Sequence, residues 1–240
     1  MSDPLSGVWS AAVTPLHDDL TVNLDAMVAH HKWLLSNGCD GVAVLGTTGE
    51  GNSFSVKERL DVIAAAASSG ITKGQLLIGT GCCAPTDTIE LTQAALDAGL
   101  TQVLMLPPFY YKGVSEDALF ASFDHIIQKL ADDRLRIVVY DFPLMTGLDI
   151  SVDLLVRLNK AYPNTVVGVK DSSGNWPAMQ AVIQAIPGFR MFAGTEQYLL
   201  ANLQEGGAGC ITATGNATSH LCQLVHAAFL AGDTSGAEAA

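Results

Sequence analysis

A lysine closes an apolar run in Thr165-Val166-Val167-Gly168-Val169-Lys170-Asp171-Ser172-Ser173. Small and β-branched apolar residues lead straight into the ammonium and then into a polar turn, the pattern of a buried strand with a charge at its carboxyl end. Buried lysines are rare because desolvation is costly, so the ammonium either reaches water or gives up its proton. In the second case it is an amine nucleophile. In the first it is a strand-end lysine with its head in solvent, and this segment alone leaves both readings open.

Other chemistry-bearing groups are scattered. Gly46-Thr47-Thr48-Gly49-Glu50 offers hydroxyls and backbone N–H groups in a glycine-opened turn suited to an anion. As a nucleotide loop it fails, because no Gly-Lys-Ser/Thr follows. Tyr140 ends another apolar run, where a tyrosine is ordinarily core packing with its hydroxyl at the wet end. His30, His31, His125, His220 and His226 fall in predicted helices or their starts and His17 in a loop, with no ligand pair beside a carboxylate cluster, so no metal centre is expected. Cys39, Cys82, Cys83, Cys210 and Cys222 are odd in number and lack metal-ligand spacing, which predicts reduced thiols in a cytoplasmic protein. Trp9 and Trp33 read as core or helix-packing residues, and Asp132-Asp133 as a solvated turn.

The elements that must position these groups alternate along the whole chain. Strand-like runs at 7–15, 41–45, 75–80, 102–106, 135–140, 165–170, 189–193 and 209–213 are each followed by an amphipathic segment. The first helix runs from after Asn23 to about Asn37, with Met27, His30 and Leu34 at helical spacing. The second opens on Ser55 with Glu58 three places on, a capping box. Later helices are expected from Thr86 to Asp97, from near Ser115, and over 151–160, 177–186, 198–203 and 221–230. Eight strand-then-helix units with near-continuous apolar strands predict an α/β fold, a (β/α)8 TIM barrel, over residues 1–231. Residues 232–240 end in alanine-rich sequence that reads as the start of a further C-terminal helical extension, apparently truncated.

Composition excludes several function classes. Of 240 residues 49% are hydrophobic and 15% charged, enough for a large core, and a net charge of -12 argues against a nucleic-acid partner. Met1-Ser2-Asp3-Pro4-Leu5-Ser6 lacks the basic and apolar regions of a leader. No apolar run approaches the ~20 residues needed to cross a bilayer, so no membrane partner is expected. In a barrel the segments after the strands all project from one face, the face on which active sites are built. Gly46 to Ser53, Phe109-Tyr110-Tyr111, Asp141-Phe142-Pro143, Gly194-Thr195-Glu196 and Thr214-Gly215-Asn216 would therefore converge around Lys170.

Taken together, Gly46-Thr47-Thr48-Gly49-Glu50, Pro108-Phe109-Tyr110-Tyr111, Tyr140-Asp141-Phe142-Pro143 with Thr146-Gly147, and Gly168-Val169-Lys170-Asp171-Ser172-Ser173 resemble the pyruvate-dependent Schiff-base lyases, the family of dihydrodipicolinate synthase and N-acetylneuraminate lyase. The likeness covers nearly the whole chain. It implies that Lys170 attacks the keto carbon of a 2-oxo acid and forms an iminium, with no cofactor beyond that covalent imine, and that the Tyr140 phenol moves protons. It also implies that Gly46, Thr47 and Thr48 bind the 2-oxo acid carboxylate. Ile211 on the last strand joins them as a substrate contact. A threonine of the family relays protons to a tyrosine supplied by a neighbouring subunit; Thr48 and Tyr110 match, with Tyr111 as alternative to the latter. The resemblance further implies a homo-oligomer, dimer or tetramer.

Departures bear on the substrate. Dihydrodipicolinate synthases place an arginine two residues after the proline of the tyrosine motif, where it binds the aldehyde's carboxylate; here that position is Met145. Asp141 stands where asparagine is usual, and strand alternation points its side chain away from Tyr140. Glu196 is placed to bind substrate hydroxyls, as acidic groups do in sugar-acid aldolases, or is a solvated helix-start carboxylate. The expectation is thus a lyase acting on pyruvate or a sugar-derived 2-oxo acid. The alternatives are a 4-hydroxy-tetrahydrodipicolinate synthase condensing pyruvate with aspartate semialdehyde, and a non-catalytic barrel that binds a keto acid.

Overall fold

Each strand pairs in parallel with the next, and the last returns to the first. The computed structural model describes residues 5–240; Met1 to Pro4, part of the stretch read above for a leader, lie outside them. β1 (Gly7–Ala11), β2 (Gly41–Val44), β3 (Leu76–Gly79), β4 (Gln102–Met105), β5 (Arg136–Asp141), β6 (Val166–Asp171), β7 (Arg190–Ala193) and β8 (Gly209–Thr212) form one closed barrel. Closure is made by β1 on β8, with Trp9 opposite Ile211 and Ser10 opposite Thr212. The (β/α)8 barrel expected from the alternation is the fold observed.

The apolar runs are continuous because both faces of each strand are covered. Trp9, Ala43, Leu77, Leu104, Val138, Tyr140, Phe192 and Ile211 fill the interior. The alternate residues pack outward against helices. Val42, Val44 and Ile78 meet Met27 and Leu34 of α1 (Leu24–Ser36), Val62 of α2 (Val56–Ser68) and Leu91 of α3 (Pro85–Asp97). Met105, Ile137 and Val139 meet Phe123 of α4 (Glu116–Leu130) and Leu154 and Leu158 of α6 (Val152–Ala161). Each such side chain contributes about 1.5–3 kcal/mol on burial.

Helix starts follow the local signals. Ser55 and Glu58 complete the capping box of α2, and Ser115 and Ser151 cap α4 and α6 by accepting from Ala118 N and Leu154 N. Asn23 caps α1 by accepting from Ala26 N, but the buried face of that helix is Met27, His31 and Leu34. His31 rather than His30 therefore faces the core; His30 stays half-buried, bonded to Asn216 and stacked on the half-exposed Trp33. Trp9 is fully buried, as expected. Asp132 holds Arg134 across its turn.

Three boundaries differ from expectation. β1 stops at Ala11 instead of Pro15, because the Val13 N–H goes to the Asn216 side chain and the Thr14 hydroxyl to the Gly49 carbonyl, drawing the segment towards the β2 loop. A short helix α5 (Pro143–Thr146) follows β5, with proline at its first position where a missing N–H costs nothing. α9 begins at Gly215 instead of 221 and runs to Leu230, with a break at Thr218, where φ is -124°. The remaining helices are α7 (Trp176–Ala185), α8 (Leu199–Gln204) and α10 (Thr234–Ala239), the last packed against α9 where a further helix was expected.

The register of β6 decides where its lysine points. Ile137 pairs with Val166 but Val138 pairs with Gly168, so β6 carries one extra residue at that bulge. Without it, strict alternation from the outward Val166 would send residue 170 outward as well. With it, Lys170 faces the interior beside Tyr140. Gly168 is required there, since a Cβ would lie 2.5 Å from the Arg190 carbonyl oxygen of β7.

Candidate active site

Lys170 and Tyr140 are partners on one rung of the β5–β6 ladder at the carboxyl end of the barrel. The Lys170 Nζ lies 4.4 Å from the centroid of the Tyr140 ring. Both residues are buried, at 4% and 3% exposure. No hydrogen bond or ion pair to this amine is found among the described residues, and it borders a cavity of about 390 Å3. A buried amine without a hydrogen-bond or ion-pair partner beside open space is accessible to a bound carbonyl compound.

The β2 loop brings the hydroxyls. Leu45 takes a left-handed backbone, φ 60°, directly after β2, a conformation costing a non-glycine residue about 1 kcal/mol. Gly51 and Gly79 accommodate its turned carbonyl; a Cβ on either would come within 2.2–2.3 Å of the Leu45 oxygen. The loop then closes by Glu50 N–H donating to the Thr47 carbonyl and Gly51 N–H to that of Gly46. As a result the Thr47 hydroxyl donates to the Tyr140 phenol oxygen at 3.4 Å. The sequence had matched the relay to Thr48. The hydroxyl that reaches Tyr140 is that of Thr47, because the left-handed turn aims it inward, while Thr48 lines the cavity alongside.

Other cavity walls come from the segments after β5, β6 and β7 that the sequence placed around Lys170. Phe142 stacks on Tyr140 with ring centroids 5.6 Å apart, and Ser172, Ser173, Gly194 and Thr195 complete the rim. Their signal was the polar turns directly after β6 and β7. Met145 and Thr47 border both this cavity and a second one of about 270 Å3 that includes Glu50, Asn52 and Phe109. Lys170 is the one basic side chain among the residues lining the two.

The remaining candidates lie farther out. Tyr110 and Tyr111 are 72% and 78% exposed, packed edge to face on one another in a separate groove with Cys83 and outside the Lys170 cavity. Glu196 accepts from the Thr212 hydroxyl at 2.5 Å instead of lining the cavity. Its partial burial favours the neutral acid, but the hydrogen bonds from Thr212 and its neighbours overcome this and hold the carboxyl below its ordinary range. Ile211 is fully buried in the barrel interior and does not border the cavity. Gly46 borders a narrow cleft of about 10 Å3 beside Thr47 and Tyr140.

Asp141 and Asp171 occupy the next rung, facing away from the interior as alternation predicts. Burial, then the charge of Asp171, pushes the Asp141 carboxyl up to about 7, against the opposing hydrogen bond from Ile150 N–H. Burial likewise raises Asp171 in spite of its hydrogen bonds from Ser173.

The model of the dihydrodipicolinate synthetase family matches residues 4–240. The chain belongs to that family. Among dihydrodipicolinate synthetase relatives, an uncharacterized DapA-like lyase of Chloroflexus aurantiacus is 36% identical over 243 residues, covering 100% of this chain and 80% of the relative. A crystal structure of dihydrodipicolinate synthase from Agrobacterium tumefaciens superposes with a TM-score of 0.87 at 37% identity, covering 90% of this chain and 76% of that one. YagE of E. coli, a prophage protein of the dihydrodipicolinic acid synthase family crystallised with pyruvate, superposes with a TM-score of 0.91 at 27% identity, covering 98% and 78%.

Proposed function

We propose that this chain is a class I lyase of the dihydrodipicolinate synthetase family that acts on pyruvate or a related 2-oxo acid through a Schiff base on Lys170. The observation that carries the reading is the buried, unpaired Lys170 amine facing a cavity beside a phenol that receives the Thr47 hydrogen bond. The amine adds to the keto carbon, forming a C–N bond while the carbonyl oxygen takes a proton. Water then leaves, and the protonated imine accepts the electron pair released when a C–H or C–C bond breaks at the neighbouring carbon. The enamine so formed either takes a proton or attacks an aldehyde; water then adds to the resulting iminium carbon and the C–N bond to Lys170 breaks, freeing the cleavage or condensation product and the amine. Tyr140 delivers and receives these protons, with Thr47 as its relay. No metal or organic cofactor enters, because the imine itself is the electron sink.

Thr47 and Thr48 hold the 2-oxo acid carboxylate in the turned β2 loop. Beyond the keto carbon the cavities offer hydroxyl groups, Phe142 and Met145, and no basic side chain except Lys170. A neutral hydroxylated aldehyde fits this lining better than an anionic one, which favours cleavage or dehydration of a sugar-derived 2-oxo acid. Glu196, at the same end of the barrel, is a candidate to bind hydroxyls only if it leaves Thr212. In this reading the enzyme is a cytoplasmic homo-oligomer in which Tyr110, exposed and outside the Lys170 cavity of its own chain, serves a neighbouring copy; its exposure supports that role.

A second reading, 4-hydroxy-tetrahydrodipicolinate synthase, is favoured by a relative of that name in Rhizobium meliloti, 33% identical over 228 residues. Pyruvate release from 2-keto-3-deoxy sugar acids, followed through lactate dehydrogenase, separates the two from a coupled assay with pyruvate and aspartate semialdehyde. Turnover in the first assay alone supports the sugar-acid lyase. Turnover in the second alone replaces it by the synthase.

A further inference from the structure

The rung after Tyr140–Lys170 pairs two carboxylates. Asp141 on β5 and Asp171 on β6 are Cα partners, 7% and 5% exposed, on the same outward face of neighbouring strands. Adjacent strands lie about 4.8 Å apart, so the two side chains stand next to each other. Each accepts a backbone N–H, from Ile150 at 3.4 Å and from Ser173 at 2.7 Å respectively. Neither has a cationic partner among the described residues. The other charges close by do not compensate them: Asp149, at the approach to α6, adds negative charge to Asp141, and the Lys112 amine on the far side of that loop is bonded to the Phe109 and Thr146 carbonyls. Lys170 itself points to the opposite face.

Two buried like charges without a counter-ion are costly, and the usual resolution is one proton held between two carboxyl groups. We propose that Asp141 and Asp171 share one proton, and that this O–H···O hydrogen bond ties β5 to β6 immediately behind the Tyr140–Lys170 rung, making both aspartates positioning residues for the covalent chemistry. The inference rests on the Schiff-base reading for its catalytic consequence, but not for the existence of the pair. The pair also joins two segments that shape the cavity. Asp141 holds Ile150, which follows the α5 segment carrying Met145, and Asp171 holds the Ser172-Ser173 turn.

The raised Asp141 carboxyl, which burial and then the charge of Asp171 push up, agrees with one shared proton, and burial raises Asp171 in the same direction. When that proton is lost, two adjacent anions repel across the ladder and the rung beside Lys170 loosens. An asparagine at 141 supplies an N–H donor to Asp171 at every pH, and an asparagine at 171 does the same for Asp141. Both variants keep the tie and remove its titration.

Two measurements test this on the full chain. The first is infrared spectroscopy of protein carrying 13C-labelled aspartate. The expected result is a protonated-carboxyl band at about pH 6 that disappears as pH rises through the range set by the pair, and that is missing from both Asp141→Asn and Asp171→Asn. A wild-type spectrum without that band at about pH 6, or one that survives unchanged in both variants, overturns the shared proton. The second is the rate of borohydride trapping of pyruvate against pH. The ratio of the Asp141→Asn rate to the wild-type rate is expected to rise several-fold between about pH 6 and about pH 9, with Asp171→Asn following. A ratio independent of pH overturns the positioning role. If no protein, wild type included, traps pyruvate, the Schiff-base reading and the positioning role fail, while the infrared band still decides the pair.

Discussion

The Lys170 amine sits over the face of the Tyr140 ring, 4.4 Å from its centroid, because the two residues are paired across β5 and β6 and a one-residue bulge turns the lysine inward. The proposed nucleophile and the proposed proton carrier are thus held by backbone pairing, with no loop between them. In the proposed mechanism, binding of a keto acid needs only the amine and turnover also needs the phenol.

Tyr140→Phe is therefore expected to bind pyruvate covalently and still fail to turn over. Removing a positioned general acid–base group costs on the order of 10²–10⁴ in kcat. Single-turnover trapping beside steady-state assays checks this; equal losses in both place the phenol in binding instead of proton transfer.

Thr47→Val removes the hydroxyl that donates to Tyr140. One hydrogen bond is worth about 1 kcal/mol, so a fall of roughly five- to tenfold in kcat with little change in the adduct is expected. Thr48→Val, whose hydroxyl makes no bond to the phenol, is expected to raise KM for pyruvate more than it lowers kcat. The kcat and KM values of the two variants decide which threonine is the relay, and the reverse pattern returns that role to Thr48.

Much of this was legible in the residues, and what was not has identifiable causes. The alternation of apolar runs and amphipathic segments carries the barrel, since each strand of a closed parallel sheet must be apolar on both faces. Lys170 and Tyr140 stood out as polar groups ending such runs. The bulge at Val167-Gly168 was not visible, because alternation cannot be counted in a run where every residue is apolar. The choice between Thr47 and Thr48 depends on a left-handed Leu45, a residue type that gives no warning of that conformation. On α1, adjacent histidines hide which one faces inward; the cap at Asn23 and packing of Met27 and Leu34 select His31. Ile211, expected as a substrate contact, packs in the barrel core, because its position on β8 faces the filled interior.

Met145 occupies the lip shared by the two cavities and is 57% exposed. Met145→Arg adds a bidentate carboxylate donor there. An increase of roughly tenfold or more in kcat/KM for aspartate semialdehyde condensation, with reduced activity on neutral hydroxylated substrates, is expected. No change in the ratio of the two activities would mean that the lip does not select the aldehyde.

Stability should fall in acid through His31. Its ring is fully buried on the inner face of α1, neither nitrogen has a partner among the described residues, and burial, with His30 beside it, lowers its value from 6.5 to about 4. A base whose folded value is depressed stabilises fully above the unfolded value and loses that contribution as pH drops towards the folded one. On the order of 3 kcal/mol is therefore lost between about pH 6.5 and about pH 4. His31→Leu is expected to flatten that part of the curve in urea unfolding, at little or no cost near neutrality. An unchanged acid slope in the variant contradicts the assignment to His31.

The central claim is that Lys170 forms a covalent imine with a 2-oxo acid. Borohydride reduction in the presence of pyruvate, followed by peptide mass spectrometry, measures it directly. The account predicts one reduced pyruvyl adduct per chain, on Lys170, absent from a folded Lys170→Ala variant. A wild-type protein that stays unmodified, or an adduct that persists when Lys170 is replaced, would contradict it.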